Sequence, residues 1–195
     1  MRQFTKFNQE VINLIKAGKI GVIPTDTVYG MVCRATDQSA VKRLYALKLR
    51  DHKPGTVIAA NIDQLVELGI KYRYLKAVEQ LWPGAISIII PSSEELNYLH
   101  LGARSLAIRI PDDKSLEGLL KEVEPLLTTS ANKPSEPIAN TIVEAQKYFG
   151  ERVDFYVDGG NLTDHPPSTI IRVVDDAIEV IREGAVKIDE NGRIT

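Results

Sequence analysis

Short β-branched runs alternate with amphipathic stretches along almost the whole chain, and that alternation limits the architectures open to it. Strand-forming runs separated by helix-length stretches predict a sheet whose connections are helices, an α/β domain rather than a bundle or a sandwich. The runs fall at 20–23, 56–60, 85–90, 105–110, 126–129 and 153–157. Between them, Asn8 caps a helix that stops at Gly18, and Asp37 caps another in which Val41 and Leu44 recur at helical spacing. Asp63 opens a short helix ending at Gly69, and residues 71–81 read as a further one. Pro111 is followed by a capping Asp112 or Asp113, and Thr141 with Glu144 forms a capping box for a helix ending at Gly150. Trp82-Pro83-Gly84 reads as a turn, and residues 169–174 and 178–182 as a hairpin around Asp175-Asp176. Together these predict one domain over residues 1–195, with a mixed sheet and ligands at the loops that end its strands.

The chain has 195 residues, 44% hydrophobic and 26% charged, the balance of an ordinary globular domain with one core. A formal net charge of −2 speaks against a generally basic nucleic-acid binder but leaves room for a local basic patch. With one cysteine, Cys33, an intrachain disulfide and a thiolate metal cluster are both out of reach; a small buried residue is the expectation. The first eight residues do not resemble a signal peptide, and the most apolar run, 85–90, is too short to span a bilayer. A cytoplasmic protein is expected.

Several familiar chemistries lack their motifs. There is no phosphate loop, dinucleotide turn or nucleophile elbow, and His52, His100 and His165 have no partner at metal-ligand spacing. Five polar segments at strand ends stand out instead. Pro24 to Gly30 offers two threonine hydroxyls, a carboxylate and a tyrosine; it suits a small polar substrate, or an ordinary Ser/Thr turn. Lys48, Arg50 and Lys53 follow a helix, where they complement its dipole or converge on a polyphosphate. Arg109 interrupts an apolar strand and therefore needs an acidic partner or an anionic ligand. Thr128-Thr129-Ser130-Ala131-Asn132 ends a strand in hydroxyls, and Ser168-Thr169 with Arg182 bracket the last hairpin; each fits either a ligand or a capped polar edge.

In order, seven pieces resemble the YrdC/TsaC family of threonylcarbamoyl-adenylate synthases: Pro-Thr-Asp-Thr-Val-Tyr-Gly (24–30), Leu-Lys-Leu-Arg with Lys53, Trp-Pro-Gly (82–84), Leu-Ala-Ile-Arg-Ile-Pro (106–111), Thr-Ser-Ala-Asn (129–132), Asp-Gly-Gly (158–160) and Ser-Thr-Ile (168–170). Residues 57–65 resemble its short, single-domain bacterial branch. The resemblance implies a twisted mixed α/β sheet around a concave, positively lined cavity. It implies synthesis of threonylcarbamoyl-AMP and pyrophosphate from L-threonine, bicarbonate and ATP, with Mg2+ carried by the ATP. By the same resemblance, Thr27, Arg109, Thr128 and Ser168 bind threonine. Lys48, Arg50, Lys53, Ser105, Ser130, Asn132 and Arg182 bind the nucleotide, Lys48 and Arg50 being catalytic. The implied partners are a downstream tRNA threonylcarbamoyltransferase complex, which modifies adenosine 37, and tRNA itself. The alternative is a non-catalytic nucleotide- or RNA-binding module of the same fold. The chain departs from the family pattern at Asp51-His52, Lys133-Pro134, Ile138 and Glu183.

Overall fold

A computed structural model describes residues 2–49, 53–174, 177–189 and 194. The expected turn at Asp175-Asp176 lies outside the described residues. The strands are β1 (Arg2–Phe4), β2 (Gly21–Ile23), β3 (Gly30–Arg34), β4 (Thr56–Ile58), β5 (Ile86–Pro91), β6 (Ser105–Arg109), β7 (Leu126–Ser130), β8 (Phe155–Val157), β9 (Thr169–Val174) and β10 (Ala177–Arg182). The helices are α1 (Gln9–Lys16), α2 (Gln38–Leu47), α3 (Ile62–Glu67), α4 (Tyr72–Lys76), α5 (Asn97–His100), α6 (Lys114–Val123) and α7 (Ile142–Phe149).

All the strands join one mixed sheet in the order β1-β8-β2-β3-β7-β4-β6-β5-β9-β10. The pairs β1–β8, β2–β8, β4–β6 and β5–β9 are parallel, and the remaining neighbours antiparallel. Helix starts follow the capping chemistry of the sequence: the side chains of Asn8, Asp37, Asp113 and Thr141 each accept from a first-turn backbone N–H. Two expectations shift. Asn61, not Asp63, caps α3. The stretch 71–81 is broken: α4 ends at Lys76, Val78 turns into the core at φ −129°, and a 3-10 turn covers Glu79–Leu81.

Successive strand residues point to opposite sides, and in the central strands both faces are buried. Met31, Cys33, Val57, Leu127 and Tyr156 pack on one side with α2, α5 and α7. Val32, Ile58, Leu126 and Phe155 pack on the other beneath α1 and α6. Along that second face the strands change character. Val32 gives way to Gly30, Ile58 to Thr56, and Leu126 to Thr128 and Ser130. Where these polar positions begin, the helices no longer cover the sheet and a cleft opens instead, lined by Gly30, Thr56, Thr128 and Ser130.

Close packing at that second face makes one glycine indispensable. A Cβ on Gly21 would come within 2.1 Å of the ring of Phe155, itself wholly buried. Gly118, on the exposed side of α6, has nothing within 4 Å. Urea denaturation should therefore separate two chemically identical changes. Gly21→Ala should destabilise the fold by about 1–3 kcal/mol through overpacking, and Gly118→Ala should stabilise it by about 0.5–1 kcal/mol through helix propensity.

Candidate active site

The loop between β2 and β3 is wound tightly by its own threonines. Thr25 Oγ1 donates to the Val28 carbonyl (2.7 Å) and accepts from the Thr27 amide (3.2 Å), while the Thr27 hydroxyl lies 3.1 Å from it. The turn holds the Thr27 side chain, 3% exposed, against the cleft. Tyr29 anchors the loop from within. It is buried, donates to the Gly160 carbonyl and accepts from the Gly159 amide, both at 2.8 Å. Burial raises its phenol pKa above the usual value. The Asp158-Gly159-Gly160 piece is thus a seat for this loop: a Cβ on Gly159 would come within 2.5 Å of Pro24.

Arg109, at the end of β6, meets the acidic partner that its place in an apolar strand demands. Its Nη2 donates to Asp26 Oδ1 at 3.0 Å, with each side chain 5% exposed. The same nitrogen lies 3.4 Å from Thr27 Oγ1, and Nη1 lies 3.4 Å from Ser87 Oγ. Burial pushes the Asp26 carboxyl up and the Arg109 guanidinium down, each toward its neutral form, and their attraction opposes both shifts. The pair is incompletely satisfied: Asp26 Oδ2 and Arg109 Nε are buried without a protein hydrogen-bond partner.

Arg109 lines a cleft of about 600 Å3, open mouth included, together with Thr27, Thr128, Ser130, Ser168 and Arg182. The wall is rich in donors. Arg182 Nη2 donates to the backbone carbonyl of Ser168 (2.6 Å) and to its hydroxyl (3.2 Å). Thr129 Oγ1 has no protein partner although it is buried. Ile138, where the family usually has serine, also lines this cleft, adding an apolar surface opposite the hydroxyls.

Ser130 is shared with a second cleft, lined by Lys48, Lys53, Asn132 and Lys133. Lys48 caps the C-terminal end of α2, consistent with its complementing the helix dipole. It is also 3% exposed and clasps the strand end opposite. Its Nζ donates to the Ser130 carbonyl (2.7 Å), the Asn132 carbonyl and Asn132 Oδ1 (3.0 Å), and lies 5.9 Å from the centre of the Phe149 ring. Asn132 is held further by Ser130 Oγ, which donates to Oδ1 at 2.7 Å. Lys48 therefore shapes the loop as well as charging the cleft.

One candidate residue, Ser105, is not in this group. Ser105 begins β6 at the end opposite Arg109, roughly 13 Å away along the strand, and its hydroxyl turns to the Ala103 carbonyl. Arg50, with neighbouring Asp51 and His52, lies outside the described residues. Asp26 and Ser87 are brought in without having been singled out. The signal for Ser87 is a lone hydroxyl within an otherwise apolar strand; the signal for Asp26 is the need of Arg109 for an acid. Among the described residues, no three His, Cys, Asp or Glu side chains gather as a metal-binding set.

Comparison with known proteins points to one group. Residues 13–184 match the Sua5/YciO/YrdC family model, described as "Telomere recombination". A putative threonylcarbamoyl-AMP synthase of Methanocaldococcus jannaschii is 31% identical over 191 residues, covering 95% of this chain and 87% of that protein. A threonylcarbamoyl-AMP synthase of Pseudomonas aeruginosa is 33% identical over 150 residues, 75% of this chain and 81% of that one. The crystal structure of P. abyssi Sua5 complexed with L-threonine superposes with a TM-score of 0.82 at 25% identity over 95% of this chain. The chain spans 57% of that Sua5 chain, little more than half its length.

The Arg109–Asp26 pair yields a stability prediction. Asp26→Ala strands a buried guanidinium and should destabilise the protein by about 3–5 kcal/mol. Asp26→Ala combined with Arg109→Met removes both charges and should recover most of that loss in chemical denaturation. Additive losses would mean that the two side chains do not act as a pair.

Proposed function

The chain belongs to the Sua5/YciO/YrdC family, and from that premise we propose that it is an L-threonylcarbamoyladenylate synthase. It joins L-threonine, CO2 derived from bicarbonate, and ATP, releasing pyrophosphate, and so acts as a nucleotidyltransferase. The observation that carries this reading is the pairing of two adjoining clefts. One is arginine-walled, hydroxyl-lined and sized for an amino acid; the other is lined by lysines; Ser130 belongs to both. The names borne by the relatives from M. jannaschii and P. aeruginosa favour a synthase over a binding module without activity.

The chemistry asks little of a protein nucleophile. The amine of threonine adds to CO2, loses a proton and becomes a carbamate. A carbamate oxygen attacks the α-phosphorus of ATP in line, and pyrophosphate leaves. Two anions must approach each other, so positioning and cationic screening provide most of the rate. In this proposal Arg109 takes the threonine carboxylate, and Thr27, Thr128 and Ser168 surround the amino acid. Lys48, Lys53, Ser130, Asn132 and Arg182 serve the nucleotide. Arg50 joins them on resemblance alone. ATP is used as its Mg2+ complex, the cation riding on phosphate oxygens and water, as is usual for that ion. The adenylate then passes to a tRNA-modifying transferase.

The direct test is pyrophosphate release from MgATP with L-threonine and bicarbonate supplied singly and together. Release should require both, and should fall when L-serine replaces L-threonine. Threonine-independent release, or ATP binding without release, contradicts the synthase reading. Lys48→Ala should lower kcat by about 100-fold or more through lost charge stabilisation. Because Lys48 also holds the 130–132 loop, the same variant should lose about 1–3 kcal/mol of stability. An inactive Lys48→Ala protein with unchanged stability would contradict the loop-holding role.

A further inference from the structure

Ser87 interrupts β5, which otherwise consists of isoleucines and a terminal proline, and it has no solvent exposure. Its register explains what it does there. Ile88 faces Ile108 on β6, so Ser87 faces Arg109; on the other side Ser87 faces Ile170 of β9, which in turn faces Arg182 of β10. Ser87 thus stands between the strands that bring two arginines to one cleft.

Hydrogen-bond accounting fixes the direction of the chain of contacts. Arg109 Nη1 donates to Ser87 Oγ (3.4 Å), and Arg182 Nη2 donates to Ser168 Oγ (3.2 Å). The two hydroxyls lie 2.9 Å apart, so one hydroxyl hydrogen sits between them. If Ser168 supplied it, the Ser87 hydrogen would be left in the core with no acceptor. A buried donor left unpaired costs the full desolvation of that group. If Ser87 supplies it, the Ser87 hydrogen and both hydroxyl oxygens are paired, and the Ser168 hydrogen is left for the cleft that Ser168 lines.

We propose that Ser87 is a positioning residue: its hydroxyl donates to Ser168 and thereby presents Ser168 as a hydrogen-bond donor to an acceptor oxygen of the amino-acid substrate. The flanking guanidiniums of Arg109 and Arg182 make the same wall a poor place for the substrate's ammonium group and a good one for its oxygens. The inference rests on the proposed function, and refines how the amino acid is oriented within it. A serine on β5 that never touches substrate then governs threonine binding.

The test is a double-mutant cycle on L-threonine affinity, measured by titration calorimetry with Ser87→Ala, Ser168→Ala and the double variant. Each single change should weaken L-threonine by about three- to tenfold, the usual effect of one lost hydrogen bond. The double variant should be far less than additively weaker than Ser168→Ala, any small remainder measuring the contact of Ser87 with Arg109. The KM for ATP should move by less than about twofold, a split that general loosening of the fold would not give. Should Ser87→Ala fail to fold, Ser87→Cys keeps the volume with a weaker donor and takes its place in the cycle. Additive losses, or a folded Ser87 variant with unchanged threonine affinity, would overturn the proposal. Wild-type protein that binds no L-threonine at all would instead sink the synthase reading on which it rests.

Discussion

The guanidinium of Arg109 and the carboxylate of Asp26 occupy a place where neither could remain charged alone. Isolated charges in an apolar interior are too costly to hold, and a pair is tolerated when its geometry is good. Here the geometry is supplied from two sides. β6 delivers Arg109 from the middle of the sheet, and the threonine-wound loop after β2 delivers Asp26. The pair therefore ties a loop to a strand that lies several positions away in the sheet. Asp26 Oδ2 and Arg109 Nε stay buried without a protein partner, while Arg109 itself lines the cleft.

That region exists because of how the sheet is clothed. On the face packed by α1 and α6, apolar residues give way to glycine, threonine and serine along β3, β4 and β7. The backbones must approach closely there: a Cβ on Gly30 would stand 2.5 Å from Thr128 Oγ1, and one on Gly55 would stand 2.7 Å from the Thr128 carbonyl. The result is a shallow floor of hydroxyls and backbone with arginines at one side. Lysines enter from the helix end at Lys48, across Ser130. Amino acid and nucleotide can then meet without any residue having to act as a nucleophile.

Much of this was legible from the sequence where a single residue type has a single physical use. Asn8, Asp37 and Thr141 announce helix starts because their side chains satisfy first-turn amides. The isolated charge of Arg109 in an apolar run announces a buried partner. β3 escaped because Gly30–Arg34 is buried on both faces and shows no alternation to betray a strand. β1 and the α5 segment are too short for periodicity to speak. Asp26 was visible only as part of a turn-forming segment, since its link to Arg109 spans 83 residues. Tyr29 belongs to a segment that suits a substrate or an ordinary turn, and Lys48 suits a helix end or a polyphosphate, yet their hydrogen bonds also pin the Asp158–Gly160 loop and the Ser130–Asn132 loop. Such dual use depends on tertiary neighbours and leaves no local mark.

Both substrates are expected in the two clefts that meet at Ser130, by the ends of β2, β6, β7 and β9. Hydrogen-exchange mass spectrometry with and without L-threonine and MgATP tests that placement most directly. Exchange should slow in peptides covering 24–30, 106–110, 128–132 and 167–170, with little change in α1 or α6. Protection confined to α1 and α6, or absent from these four segments, would contradict it.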